Sequence, residues 1–459
     1  MNVGAIIKMA IPMAIRKVVG EMEFITALKH NQMEILMEIL NGNDCFAILP
    51  TGYGKSLPYQ MFLPVKRALN PENHDTVLVC CPLISLMEDQ VRRVQQFGVT
   101  AALRGTDQDA NEAIDDGTIS VIFASPEALA EEWVRQIKDV SLIVVDECHT
   151  ISMWGGLDVD EEKAFRKYFR YIGTLRSIFP DATVLALSAT CTLKMKTQIM
   201  SNLNLSGKAR VIETSPNRAN IKYVVKRTPI AIEETFFWLI DKLCEFKKDF
   251  PRILIYCNSI KDVCQLFNYV VTETNLMDQN VVEMYHSETP QEKKEHIVQN
   301  LGLDSQMKVV IATTALGLGV DVKNCHGVIL FGPPKDVVDL LQESGRCGRN
   351  DEPSVCVIFC NRYQLNHISK EVKEVIGSVE CRRRCLLKNF TSEEVVSDPA
   401  HMCCDLCVSH CNCGSCTPHP IEVLVGTFSA KAEDALVSSD SDTISYEYES
   451  DVSFDGGFE

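Results

Sequence analysis

Short runs rich in Val, Ile and Leu return repeatedly along this chain, and each ends in a polar or glycine-rich turn. The first half carries CFAIL, TVLVCC, ISVIFA, SLIVVD and TVLALSA; the second carries RILIYC, VVIATT, GVILFG and VCVIF. None alternates apolar with polar residues. Strands read this way when helices cover both faces, which is the situation in a parallel sheet. Longer helical patterns separate the runs, so the expected class is α/β, with two parallel-sheet lobes in tandem. Such sheets place ligands beyond the carboxyl ends of their strands. The two series meet near residues 205–220, and the pattern stops after about residue 362. The expected divisions are therefore a first lobe at 1–212, a second at 213–362, a helical, cysteine-rich segment at 363–418, and an acidic tail at 419–459. The tail has too little apolar content to pack and reads as disordered.

Composition narrows the classes further. The 459 residues leave room for two or three separate cores. No stretch approaches the ~20 apolar residues of a membrane span. The opening run is interrupted by Pro12, Arg16 and Lys17 and reads as a leading helix rather than a secretion signal. Twelve of the 20 cysteines are scattered through apolar segments, while eight crowd between Cys381 and Cys416. That distribution suits a reducing compartment and one local metal site, not a disulfide framework. The net charge is −17, and residues 428–459 hold nine acids against one lysine. The remainder is still acidic, so net charge lends no support to a nucleic-acid binder, although basic residues lining one cleft would suffice.

Three motifs carry chemistry. LPTGYGKS, residues 49–56, follows the run CFAIL and precedes a helical pattern. It has the tail of a phosphate-binding loop, with Leu49 where the full pattern has glycine. The N–H groups of Thr51, Gly52, Tyr53, Gly54, Lys55 and Ser56 would cradle ATP, Lys55 would neutralise β and γ oxygens, and Ser56 would ligate Mg²⁺. LIVVDECHT ends a buried strand in two adjacent carboxylates, which is costly unless something positive waits there. Asp146 would hold Mg²⁺ and Glu147 would polarise the attacking water. LLQESGRCGRN lies in the second series; Arg346 and Arg349 share a face if the stretch is helical, and either guanidinium could spread transition-state charge.

Together with LKHNQ, CPLISLMEDQ, ASPEAL, LSAT, SPNRANI, ILIYCNS and ATTALGLGVD, these motifs stand in the order found in one family. The chain resembles the RecQ branch of superfamily-2 DNA helicases over roughly residues 20–410, and that branch shares the loop without its first glycine. The resemblance implies an ATP-dependent motor of two RecA-like lobes that moves 3′→5′ on single-stranded DNA and opens tailed duplexes. It implies adenine reading by Gln32, coupling through Ser188–Thr190, and second-lobe catalysis by Gln342, Arg346 and Arg349, with Arg349 the favoured finger. Pro82, Ser125, Thr313 and Thr314 fall where relatives touch the DNA backbone, and Trp154 where an aromatic loop stacks on a base. Three departures stand out. The family's His-Asp-Phe-Arg-Pro is replaced by GGLDVDEEKAFRKYF, leaving Phe165 and Arg166 as displaced equivalents, while Cys148 and Leu340-Leu341 alter two other motifs.

The cysteine segment reads as a zinc site. Cys404-x-x-Cys407 is a knuckle, and the family resemblance adds Cys381. Cys403, His401, Cys411 and Cys385 compete for the fourth position, and Cys411-x-Cys413-x-x-Cys416 offers ligands for a second ion. Two other readings stay open: an RNA helicase, and a nucleotide-gated binding or remodelling module without processive unwinding. In the tail, Ser438, Ser439 and Ser441 lie among acids and resemble acidophilic-kinase substrates, and the tail could recruit protein partners. Nuclear location is inherited from the family, cytoplasmic location stays open, and secretion is not expected.

Overall fold

The computed structural model describes residues 3–82, 84–150, 172–275, 280–316, 320, 322–348, 351–393 and 399–426. Two parallel sheets follow each other along the chain. The first contains β1 (Cys45–Ile48), β2 (Thr76–Cys80), β3 (Ala101–Leu103), β4 (Val121–Ala124), β5 (Val140–Val145), β6 (Thr183–Ser188) and β7 (Arg210–Glu213) in the order β3-β4-β2-β5-β6-β1-β7. The second contains β8 (Ile221–Arg227), β9 (Arg252–Cys257), β10 (Val282–Tyr285), β11 (Val309–Ala312), β12 (Cys325–Phe331) and β13 (Ser354–Cys360) in the order β10-β11-β9-β12-β13-β8.

All nine apolar runs are strands, and their alternate residues enter opposite apolar layers. In β1, Phe46 and Ile48 join one buried cluster, while Cys45 and Ala47 join the other. The first of these clusters is continuous across both sheets: it also holds Leu254, Tyr256, Val328 and the segment's Cys403 and Cys404. The opening helix, Val3–Glu21, packs Ile11, Ile15 and Val18 into the second layer. Among the described residues, no helix is long and apolar enough to cross a membrane.

The sheet order fixes where chemistry can occur. β5, β6 and β1 are neighbours, so the turns after them lie side by side at one edge. These are the turns that carry Asp146 and Glu147, Ser188–Thr190, and the glycine loop. β7 ends at Glu213 on the first sheet and β8 starts at Ile221 on the second.

One expectation is corrected at the chain's end. The acidic tail was placed at 419–459, but Pro420–Val425 is a helix. Its N-terminus is capped by His419, and Ile421 and Val425 pack into the core of the second sheet. Ile421, Val425 and the partly buried Leu424 supply that face, although the surrounding composition masks it. The serines at 438, 439 and 441 lie outside the described residues.

Asp44 anchors the start of the first sheet. It is buried, and its carboxylate accepts from Arg176 Nη1 at 2.8 Å, Val184 N at 2.9 Å and Ser206 N at 2.9 Å. Asp44→Ala removes the acceptor of two backbone donors and the carboxylate partner of Arg176, which keeps its bond to Ala182 O. It should destabilise the chain by about 2–4 kcal/mol, read as a lowered midpoint in chemical denaturation; an unchanged midpoint would contradict this account.

Candidate functional site

After β1 the chain turns through Gly52 (φ 82°) and Gly54 (φ 87°), in the left-handed region that glycine enters cheaply. Gly54 is also fixed by contact, since a Cβ there would come 2.5 Å from Gln32 Nε2. Gln32 is itself buried, donating through Nε2 to the carbonyls of Tyr53 (3.1 Å) and Gly54 (3.0 Å) and accepting through Oε1 from Lys29 N (2.8 Å). This differs from the expected bidentate adenine reader. Both amide hydrogens are engaged with the loop, which leaves one Oε1 lone pair to accept from an adenine amine, while donation to N7 would cost a loop bond.

Lys55 Nζ lies 3.8 Å from Glu147 Oε1, and both side chains are almost fully covered. Glu147 has φ 47°, an uncommon conformation for a residue with a side chain and one that concentrates at functional sites. Burial pushes its carboxyl up, yet Lys55, His149 and Arg346 outweigh burial and hold it below its ordinary value. Asp146 goes the other way: burial and the neighbouring Glu147 raise it, and Lys55 offsets only part of the rise. Two buried carboxylates therefore face a shortage of positive charge. An oxygen-donor set of that kind fits a hard divalent cation such as Mg²⁺.

The second lobe reaches into the same place. The helix Val337–Ser344 is capped by Asp336, which accepts from Val338 N and Asp339 N, and it ends at Gly345. Gln342 Nε2 donates to Thr190 Oγ1 at 2.7 Å and lies 3.1 Å from His149 Nε2. Arg346 is buried beyond the helix end, donates through Nη1 to Val320 O at 3.1 Å, and acts electrostatically on Glu147. The helix ends at Gly345, before Arg346, so the helical condition on which Arg346 and Arg349 would share a face is not met at Arg346; Arg349 lies outside the described residues. One crevice is lined by Pro50 and Thr51 of the loop, Ala189 and Thr190 after β6, and Leu341, Gln342 and Gly345.

His149 was read only as a letter of the DECH motif. Its Nδ1 lies 3.1 Å from Ser188 Oγ and 3.3 Å from Glu147 Oε2, so it joins three motifs. Burial is the main cause that keeps its pKa below the usual imidazole range. Its position two residues after Glu147 is the signal the sequence offers. Arg218 of SPNRANI also borders the crevice and donates through Nη2 to Cys347 O at 3.4 Å.

The expected nucleic-acid contacts lie at strand ends. Pro82 is buried after β2, Ser125 follows β4 and accepts from Ala128 N at 3.3 Å, and Thr313 and exposed Thr314 follow β11. They do not converge on the crevice. Trp154, Phe165 and Arg166 lie outside the described residues.

In the cysteine segment, the thiols of Cys381, Cys403, Cys404 and Cys407 come within 4.8 Å of one another. Cys381 Sγ is 3.4 Å from Cys403 Sγ, and Cys404 Sγ is 3.4 Å from Cys407 Sγ. Four converging thiols suit tetrahedral zinc. Cys403 thus joins the set and Cys385 does not. The set is tied to the second sheet, because Tyr223 N donates to Cys403 O (3.2 Å) and Asp405 N donates to Tyr223 O (3.0 Å).

Comparison with known proteins decides the family. A DEAD/DEAH box helicase model matches residues 29–199, and a Helicase conserved C-terminal domain model matches residues 237–351. The chain is similar to ATP-dependent helicase SGS1 of Saccharomyces cerevisiae, 28% identical over 83% of this chain and 27% of that protein. It is also similar to ATP-dependent DNA helicase RecQ of Haemophilus influenzae, 29% identical over 83% of this chain and 61% of that protein. The chain belongs to the RecQ family of superfamily-2 helicases. It spans less than two thirds of the length of these two relatives. The overall fold is similar to that of the DUF1998 helicase MrfA bound to DNA, with a TM-score of 0.61 and 17% identity, covering 85% of this chain and 59% of that one.

The fourth thiol can be tested directly. Cys403→Ser should release the ion held with Cys381, Cys404 and Cys407 and lower the melting temperature, whereas Cys385→Ser should retain it, as read by zinc content and calorimetry. The reverse pattern would reassign the ligand.

Proposed function

We propose that the chain is an ATP-dependent DNA helicase of the RecQ type, hydrolysing ATP between its lobes and moving 3′→5′ along single-stranded DNA. The observation that carries this reading is the seam at Glu147: Lys55 of the first lobe lies 3.8 Å from its carboxylate, and Gln342 of the second lobe donates to Thr190 at 2.7 Å and lies 3.1 Å from His149. The loop N–H groups and Lys55 hold the phosphates. Glu147, kept ionised by its cationic neighbours, orients the attacking water and takes its proton. Arg346 and Arg349 spread the charge that develops on the transferring group. Ser56 and Asp146 would hold Mg²⁺, which when bound neutralises phosphate oxygens.

Coupling runs through the seam. Gln342 touches Thr190 and His149, so lobe closure and the alignment of Glu147 depend on the same hydrogen bonds. By the family resemblance, Pro82, Ser125, Thr313 and Thr314 would meet backbone phosphates and Trp154 would stack on a base. Cys381, Cys403, Cys404 and Cys407 would hold a structural Zn²⁺. A second reading, remodelling of nucleic acid without processive unwinding, is favoured by the acidic run Asp158–Glu162 where the family motif carries His-Asp-Phe-Arg-Pro.

Lys55→Ala should reduce DNA-stimulated ATP hydrolysis to background while the chain stays folded, its melt lowered only by the lost partner of Glu147. Arg346→Ala should lower kcat roughly 10³-fold with ATP binding retained. Normal turnover in either variant would reject the crevice as the hydrolytic site. Displacement of a 3′-tailed duplex strand, measured beside ATPase activity, separates the readings: hydrolysis without displacement selects remodelling. Stronger stimulation by matched single-stranded RNA would select an RNA-directed enzyme.

A further inference from the structure

A second group of metal ligands stands beside the four thiols. His401, Cys411, Cys413 and Cys416 each offer one ligand atom, and these atoms all lie within 4.8 Å of one another. His401 Nδ1 is 3.3 Å from Cys411 Sγ and 3.2 Å from Cys413 Sγ, and Cys413 Sγ is 3.5 Å from Cys416 Sγ. A tetrahedral zinc ion with bonds of about 2.3 Å to sulfur and 2.0–2.1 Å to nitrogen spaces its ligands roughly 3.5–3.8 Å apart. The observed separations are close to that shell. Three thiols and one imidazole form a donor set that selects zinc over the hard cations.

We propose that the chain binds two zinc ions: one held by Cys381, Cys403, Cys404 and Cys407, and a second held by His401 Nδ1 with the thiolates of Cys411, Cys413 and Cys416. The ligands interleave along the sequence. His401 precedes Cys403 by two residues, and Cys411 follows Cys407 by four. Neither site can therefore form without constraining the chain that builds the other.

The second ion has a mechanical task that the local sequence makes necessary. Residues 409–418 read SHCNCGSCTP, and all but Cys411 are exposed. Such a stretch buries almost no apolar surface, so a metal cross-link is the means by which it keeps a fixed course. Its course matters because it leads into the helix Pro420–Val425. That helix docks on the second sheet: Ile421 sits so close to Gly327 that a Cβ there would come within 2.5 Å of it, and Glu422 pairs with buried Lys222 at 2.8 Å. His401 is buried, whereas Cys413 and Cys416 are exposed. The second ion therefore faces solvent on one side and should leave first when a chelator is added.

The test uses the full chain, purified under reducing conditions and dialysed into metal-free buffer, with zinc counted by mass spectrometry. Two zinc ions per chain are expected, released by a chelator in a fast and a slow phase of equal size. Cys413→Ser combined with Cys416→Ser should hold one ion, lose the fast phase, and keep its DNA-stimulated ATPase activity. Should that variant fail to fold, His401→Gln in the cobalt-substituted chain serves instead, since it should alter the spectrum of one of the two ions only. One zinc per wild-type chain, two in the double-serine variant, or a cobalt spectrum indifferent to His401 would each overturn the proposal.

Discussion

Two carboxylates side by side in a buried turn make the demand that organises this molecule. Asp146 and Glu147 are both nearly inaccessible, and no apolar surrounding tolerates two such charges unaided. The first lobe answers with Lys55, and the second with Arg346. The lobes thus meet at a common polar centre, where Gln342 reaches Thr190 and His149, as well as at a common apolar seam. The turn that brings the carboxylates forward forces Glu147 into a left-handed conformation, a strain of roughly 1–3 kcal/mol that the surrounding contacts must hold in place.

Much of this arrangement was legible in the sequence, and the exceptions share physical causes. Nine strands announced themselves as unbroken apolar runs because both faces of each are covered. The four unannounced strands, β3, β7, β8 and β10, are the outermost members of their sheets. An outermost strand can be short, as Ala101–Leu103 is, or carry charge, as Arg210–Glu213 and Ile221–Arg227 do, so it lacks the continuous apolar signature. The loop's glycines and the two carboxylates were readable because their chemistry is local. The contacts of Gln32 were not legible because its partners are carbonyls twenty-one and twenty-two residues away, nor was the setting of Arg346, because one glycine ends a helix that the spacing alone would continue.

The cysteine segment illustrates the same distinction. Spacing identified Cys404 and Cys407, but the choice among Cys403, His401, Cys411 and Cys385 depends on where the chain folds back. Arg383 controls that return. It is fully buried, donates to Asn217 Oδ1 at 3.0 Å and to the carbonyls of Ile221 at 2.6 Å and Cys403 at 3.3 Å, and also binds the carbonyl of Arg218. One side chain thereby joins the interlobe linker, the start of β8 and the metal-binding turn. The guanidinium suits this task because its planar fork of donors can reach carbonyls of three separate segments at once.

A continuous polar path connects the lobes. Gln342 donates to Thr190, Ser188 donates to the Thr190 carbonyl at 2.6 Å, His149 meets both Ser188 and Gln342, and Glu147 lies between His149 and Lys55. Apart from the 3.8 Å ion pair of Lys55 with Glu147, the steps are 3.3 Å or less and most are buried, so the path has little room to stretch before a bond is lost. A movement of the second lobe by even one ångström would take Gln342 Nε2 beyond hydrogen-bond distance of Thr190 and change the field at Glu147. Conversely, a change of charge at Lys55 or Glu147 alters what holds His149, and through it the grip on the second lobe. Reciprocity of this kind is required of any two sites joined by one coupling free energy. Here its physical carrier is a handful of named side chains in a crevice that belongs to neither lobe alone.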